Sequence, residues 1–161
     1  MTLDAIDNAV FAAGEIGVRL DLLAGTGTWS LDGTVRHAEA LARIARSTVL
    51  VDPGVILARV VVRFPDGSWS TPDLAVYPRE PDEEDTAVTL IPEAVVEVVS
   101  KGSEIKDFEI GPAFYLGQGV KDVIVFDPFS LLTIHHRRDR PPVRHSETTE
   151  IRLECGCLVT V

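Results

Sequence analysis

Hydrophobic positions along the chain fall into a few clear patterns, and the strongest lies past the middle. Residues 93–100 read Glu-Ala-Val-Val-Glu-Val-Val-Ser, an apolar β-branched run interrupted by one carboxylate, Glu97. Such a run predicts a strand covered on both faces. Pro92 precedes it, where a strand can begin with no donor to lose. Lys121–Asp127 (Lys-Asp-Val-Ile-Val-Phe-Asp) is a second run of the same kind. Between them, residues 107–118 set Phe108, Ala113, Phe114 and Leu116 in helical register, with Gly119 as the stop. Pro112 requires the helix to begin or kink nearby. Strand, helix and strand in succession predict a parallel crossover unit.

The remaining patterns are shorter. Leu3, Ile6, Val10 and Ala13 are spaced for a short amphipathic helix ended by Gly14. Residues 16–23 alternate as a strand, and after the turn at 24–28 the segment Trp29–Leu31 is placed to pair back on it. Residues 34–47 read as a helix with Val35, Ala38, Leu41, Ala42 and Ala45 on its apolar face; Arg36, His37, Arg43 and Arg46 fill the rest. Residues 55–64 predict one long strand, turned by Pro65–Ser68 into a hairpin. Thr71–Tyr77 is a further strand with Asp73 at its beginning, followed by a polar, acidic loop over 79–89. After the second apolar run, Leu131–His136 predicts a strand that sends His135 and His136 to opposite faces. An exposed loop over 137–142 follows, and Thr149–Leu153 with Leu158–Val161 are expected to close the sheet. No repeat or linker interrupts the chain, so the expectation is one α/β domain over residues 1–161.

Composition narrows the function classes. The net charge of −10 argues against broad capture of nucleic acid by a basic face. It leaves room for a local patch, for which Arg36, Arg43, Arg46, Arg137, Arg138 and Arg140 are the candidates. No stretch is long and apolar enough to span a membrane, and the first residues lack the positive region of a signal peptide; a cytoplasmic protein is expected. Cys155 and Cys157 are the two cysteines, and reduced thiols account for them more simply than a zinc site does. Gly25-Thr-Gly27 lacks the spacing and the lysine of a phosphate loop.

The chemistry centres on Glu97. A lone carboxylate inside a strand costs roughly several kcal/mol unless it is protonated, paired or bound to a cation. Asp73, on a neighbouring strand, supplies a second carboxylate. Such a pair offers an oxygen-rich site for a hard cation. A metal held there can polarise a phosphodiester and lower the pKa of a bound water. The alternative pairs Glu97 with an arginine or lysine and leaves Asp73 capping a turn after Pro72.

The segments Thr71-Pro-Asp73-Leu-Ala-Val and Pro92-Glu-Ala-Val-Val-Glu97-Val-Val-Ser100, with Gly102-Ser-Glu, Asp107, Tyr115 and Gly119–Pro128, resemble the Uma-two family of endonucleases. That family belongs to the PD-(D/E)XK, restriction-endonuclease-like superfamily. The likeness spans about residues 33–137 and is best over 71–128. It implies a mixed sheet flanked by helices and a Mg²⁺ or Mn²⁺ ion held by Asp73, Glu97 and the main-chain carbonyl of Val98. It also implies a nucleic-acid substrate, DNA above RNA, and a homodimer of the kind that cuts both strands. The superfamily's lysine is missing from both of its usual places, where Val99 and Gly111 stand. Lys101 and Lys106 are the nearby substitutes, and Lys101, just past the strand end, is taken as the third catalytic residue. The expectation is therefore a metal-dependent endonuclease, weak or inactive for want of its lysine. The rival is a nuclease-fold module that binds or assembles without cutting.

Overall fold

Charged residues alternate with leucines in the first strand, and the fold turns on which side of that strand faces inward. The computed structural model describes residues 3–31, 33–82 and 87–161. Within helix α1 (Leu3–Glu15), the side chains of Leu3 and Ile6 lie outside what is described, as do residues 83–86 of the acidic loop. Strands β1 (Val18–Leu23) and β2 (Thr26–Leu31) form a hairpin in register Leu20↔Trp29. Helix α2 (Val35–Ser47) is capped by Thr34, whose hydroxyl accepts from the His37 amide.

The predicted long strand over 55–64 is in fact two. Arg59 adopts a left-handed backbone (φ 52°), which turns the chain between β3 (Val55–Ala58) and β4 (Val62–Arg63). The two pieces join different sheets. Strand β4 pairs with β5 (Trp69–Ser70) in a four-stranded sheet of order β2-β1-β5-β4. Strand β3 edges a six-stranded mixed sheet with β6 (Leu74–Tyr77), β7 (Ala94–Val98) and β8 (Asp122–Phe126), followed by β9 (Thr133–Arg137) and β10 (Val143–His145). Strands β7 and β8 run parallel in register Val95↔Val123, so the crossover is present as expected. The loop predicted over 137–142 is present from residue 138 on, and after it β10 returns antiparallel on the edge of β9. Thr149–Leu153 and Leu158–Val161 do not close the main sheet. Their cores, β11 (Glu150–Arg152) and β12 (Leu158–Thr160), pair with each other, Leu158 adds one bridge to Val49, and both pack beneath α2.

The six-stranded sheet is covered on both faces. On one side Leu74, Val76, Val96 and Ile124 pack against Ile44 of α2 and against Ile151 and Val159. On the other, Val95, Val99, Val123 and Val125 meet Phe64, Phe114 and Tyr115. Full burial of each such side chain contributes about 1.5–3 kcal/mol. That sum offsets the cost of the one carboxylate set among them. Glu97 shares strand parity with Val95 and so points to the second face.

Between β7 and β8 the chain makes a π-helical turn (Lys106–Ile110) and then helix α3 (Gly111–Gly117), with Pro112 in its first turn, where no amide is missed. Gly119 ends the segment with φ 100°.

Candidate active site

Asp73 lies immediately before β6, and the antiparallel register Leu74↔Val96 sets it beside Glu97. Both are buried, at 0 and 1% exposure. The Asp73 amide stands 3.4 Å from Glu97 Oε2. The two acids that the sequence singled out are therefore neighbours in the fold. What surrounds them was less legible.

The Asp73 carboxylate accepts three hydrogen bonds. Arg19 Nη1 donates to Oδ1 at 2.6 Å, while His37 Nε2 and the Val98 amide reach Oδ2 at 3.1 and 2.8 Å. Arg59 Nε stands 4.0 Å from Oδ1. His37 is held against Asp73 by close packing at Gly33, where a Cβ would meet its ring at 2.4 Å. Burial alone would raise the Asp73 carboxyl, but the His37 hydrogen bond and the Arg19 charge bring it down to about 2.

Glu97 is the opposite case. Burial pushes its carboxyl up to about 8, the charges of Asp73 and Asp107 add to that, and Lys106 and Arg19 oppose it. Hydrogen counting agrees. Tyr115 Oη stands 2.7 Å from Glu97 Oε1 and 2.6 Å from Ser70 Oγ, and Ser70 in turn donates to Asp21 Oδ1 at 3.0 Å. Two hydroxyl hydrogens cannot serve three contacts. The third must come from a carboxyl at one end of the row, and burial favours Glu97. Burial also holds the Tyr115 hydroxyl well above its ordinary range, so it stays protonated.

Lys106 completes the cluster. The π-helical turn carries it inward, where Nζ lies 3.2 Å from Asp21 Oδ2 and 3.6 Å from Asp107 Oδ1. Extra-residue turns of this kind redirect single side chains and concentrate at functional sites. Gly111, where the family lysine would stand, sits at the close of that turn. A Cβ there would be 3.0 Å from the Lys106 carbonyl oxygen. The turn that brings Lys106 in thus leaves little room for a side chain at 111. Lys101, taken from sequence as the third catalytic residue, is exposed, with Nζ 5.5 Å from the centre of the Phe129 ring. The buried lysine of the cluster is Lys106 instead.

The donor set does not fit the divalent ion implied by the resemblance. Asp73 is paired with the Arg19 guanidinium and burial favours the neutral form of Glu97, so neither acid is a free anion. Among the described residues no group of three or more His, Cys, Asp or Glu side chains is arranged to hold a metal.

A family model described as Uma2, putative restriction endonuclease, matches residues 15–156. The chain belongs to that family. A putative nuclease from Anabaena variabilis has a similar crystal structure, with TM-score 0.65 over 83% of this chain and 80% of that one, at 18% identity. At that identity the likeness establishes the fold, which is restriction-endonuclease-like. No curated protein matches the chain. No helix among the described residues is long and apolar enough to cross a membrane.

Within this Uma2 chain, sequence reasoning passed over Arg19, Asp21 and Ser70. Arg19 and Asp21 alternate with Leu20 and Leu22, which marks two faces of a strand but not which one is inward. Here the charged face is the buried one. Two charges of opposite sign at i and i+2 beside a buried acid elsewhere were the available signal.

Proposed function

We propose that this protein acts on nucleic acid as a Uma2 nuclease-fold member whose acidic site is shut by Arg19, so that it binds its substrate and hydrolyses phosphodiester bonds weakly or not at all. The observation that carries this is the buried Arg19–Asp73 ion pair at 2.6 Å, with both partners under 10% exposed. A cation entering beside that guanidinium meets like-charge repulsion of about 4 kcal/mol per unit charge at ~4 Å. Protonated Glu97 offers no charge to offset it. DNA is the proposed nucleic acid, in keeping with the family's description.

A second reading is favoured by one feature, the side-by-side placement of Asp73 and Glu97 with Lys106 in the same cluster. In that reading the chain is a metal-dependent endonuclease, and Arg19, which belongs to the other sheet, leaves Asp73 when substrate binds. Incubation of plasmid and single-stranded DNA with Mg²⁺ or Mn²⁺ decides between them. The proposal expects intact DNA with wild type. Brisk cleavage that Asp73→Ala abolishes would establish the second reading instead.

A further inference from the structure

We infer that the protein takes single-stranded nucleic acid along a basic, aromatic track that runs from Trp29, past Lys101 and Phe129, to the arginine face of α2. The inference rests on the nucleic-acid reading above and adds the class of strand that the site accepts.

In a chain of net charge −10, Arg36, Arg43, Arg46 and Lys101 lie along this face. Phe129 links its two halves: Arg36 Cζ lies 5.2 Å and Lys101 Nζ 5.5 Å from the centre of its ring. Arg43 Cζ lies 5.4 Å from the Phe126 ring. Cations seated on rings are partly ordered already, so less side-chain freedom is lost when phosphate arrives.

The track has two hollows. One, of about 460 Å³, is lined by Trp29 and Lys101 and reaches down to Ser103 and Lys106 of the buried cluster. The other, of about 480 Å³, is lined by Arg36, Arg43 and Arg46, with Glu39 as its acid. The first therefore connects the surface with the candidate active site.

The aromatic residues decide the kind of strand. Trp29, on the edge strand β2, is 69% exposed, and Phe129 is 43% exposed. Exposed rings beside phosphate-binding cations are platforms for unpaired bases. A duplex keeps its base faces stacked inside and gives such rings nothing to meet.

Fluorescence anisotropy with a labelled oligothymidylate of about 16 nucleotides, in EDTA, tests this without any contribution from cleavage. A hairpin duplex of matched length and an oligouridylate are the comparison probes. The expected result is tighter binding of the single strands than of the duplex, with the two single strands reporting whether the sugar matters. Trp29→Ala, at an exposed position, weakens single-strand binding about tenfold and leaves the thermal midpoint unchanged. Arg43→Ala lowers the slope of log K against log salt by about 0.7. Preference for duplex, or wild-type binding by both variants, overturns the track while leaving the nucleic-acid reading intact. No binding of any of the probes overturns both.

Discussion

The molecule contains the same arrangement twice, and among the described residues only the Asp73 copy has a buried glutamate side chain against it. Asp73 accepts from His37, Arg19 and the Val98 amide. Across the sheet, Asp122 accepts from His135 at 2.7 Å, Arg137 at 2.5 Å and the Glu154 amide at 2.7 Å. Both carboxyls are held below their ordinary range: burial works against it, and the hydrogen bonds and charges prevail. Around Asp122 the consequence is structural, because Arg137 also reaches the Arg152 carbonyl and ties the C-terminal hairpin to the main sheet. An aspartate clamped by histidine, arginine and an amide is thus a staple in its own right. What sets the Asp73 copy apart is protonated Glu97 at its side, with Tyr115, Lys106 and Asp107 beyond. The candidate chemistry lies in that added acid, and the clamp is what restrains it.

Removing the arginine from each copy should separate them most. Arg19→Ala leaves a buried anion short of its cation and is expected to cost about 3–5 kcal/mol. Arg137 is a quarter exposed, so water can partly replace it, and Arg137→Ala should cost about 1.5–3 kcal/mol. Urea unfolding with an unchanged m-value measures both; equal costs would erase the distinction.

The pH dependence sharpens the contrast within the Asp73 copy. Asp73 is depressed from 3.8 to about 2, so its stabilisation is complete above about 4 and is lost as pH falls toward 2. Glu97 is raised from 4.5 to about 8, so the folded state keeps a proton that the unfolded chain has released. Stability therefore declines as pH rises from about 4.5 to 8 and levels off beyond. Glu97→Gln, a neutral isostere, should remove that decline and leave the acid limb in place. Parallel unfolding curves for the variant and wild type across this range would contradict it.

Smaller effects follow outward from the cluster. Tyr115→Phe breaks the row between Glu97 and Ser70 and should cost about 1–3 kcal/mol for the polar groups left without a partner. Lys101→Ala, at the surface, should stay within about 0.5 kcal/mol in thermal or urea unfolding. A larger loss would mean that its contact with the Phe129 ring carries structural weight.

How much of this could be read from the residues depends on the kind of pattern. Strands β7 and β8 with α3 between them were legible because continuous β-branched runs and a helical register leave little choice. The adjacency of Asp73 and Glu97 followed from those runs and from the family resemblance. Arg59 hid the break in the 55–64 strand, since a left-handed backbone at a non-glycine residue leaves no mark in an apolar pattern. The inward face of β1 was hidden because alternation is symmetric between its two faces. Lys106 was hidden because one extra residue in a helical turn moves a side chain from one face to another. Strands β11 and β12 read correctly as strands; their partners are set by packing under α2, which local sequence does not encode.

The account rests on unlike protonation of two neighbouring acids, and carbon NMR of the Asp73 and Glu97 side-chain carboxyls, followed through a pH titration of wild-type protein, observes it directly. The result predicted is a Glu97 carboxyl that titrates near 8 while Asp73 stays ionised down to about 2. A Glu97 carboxyl already ionised at neutral pH, titrating near its ordinary 4.5, would contradict it and leave two charged acids ready to share a cation.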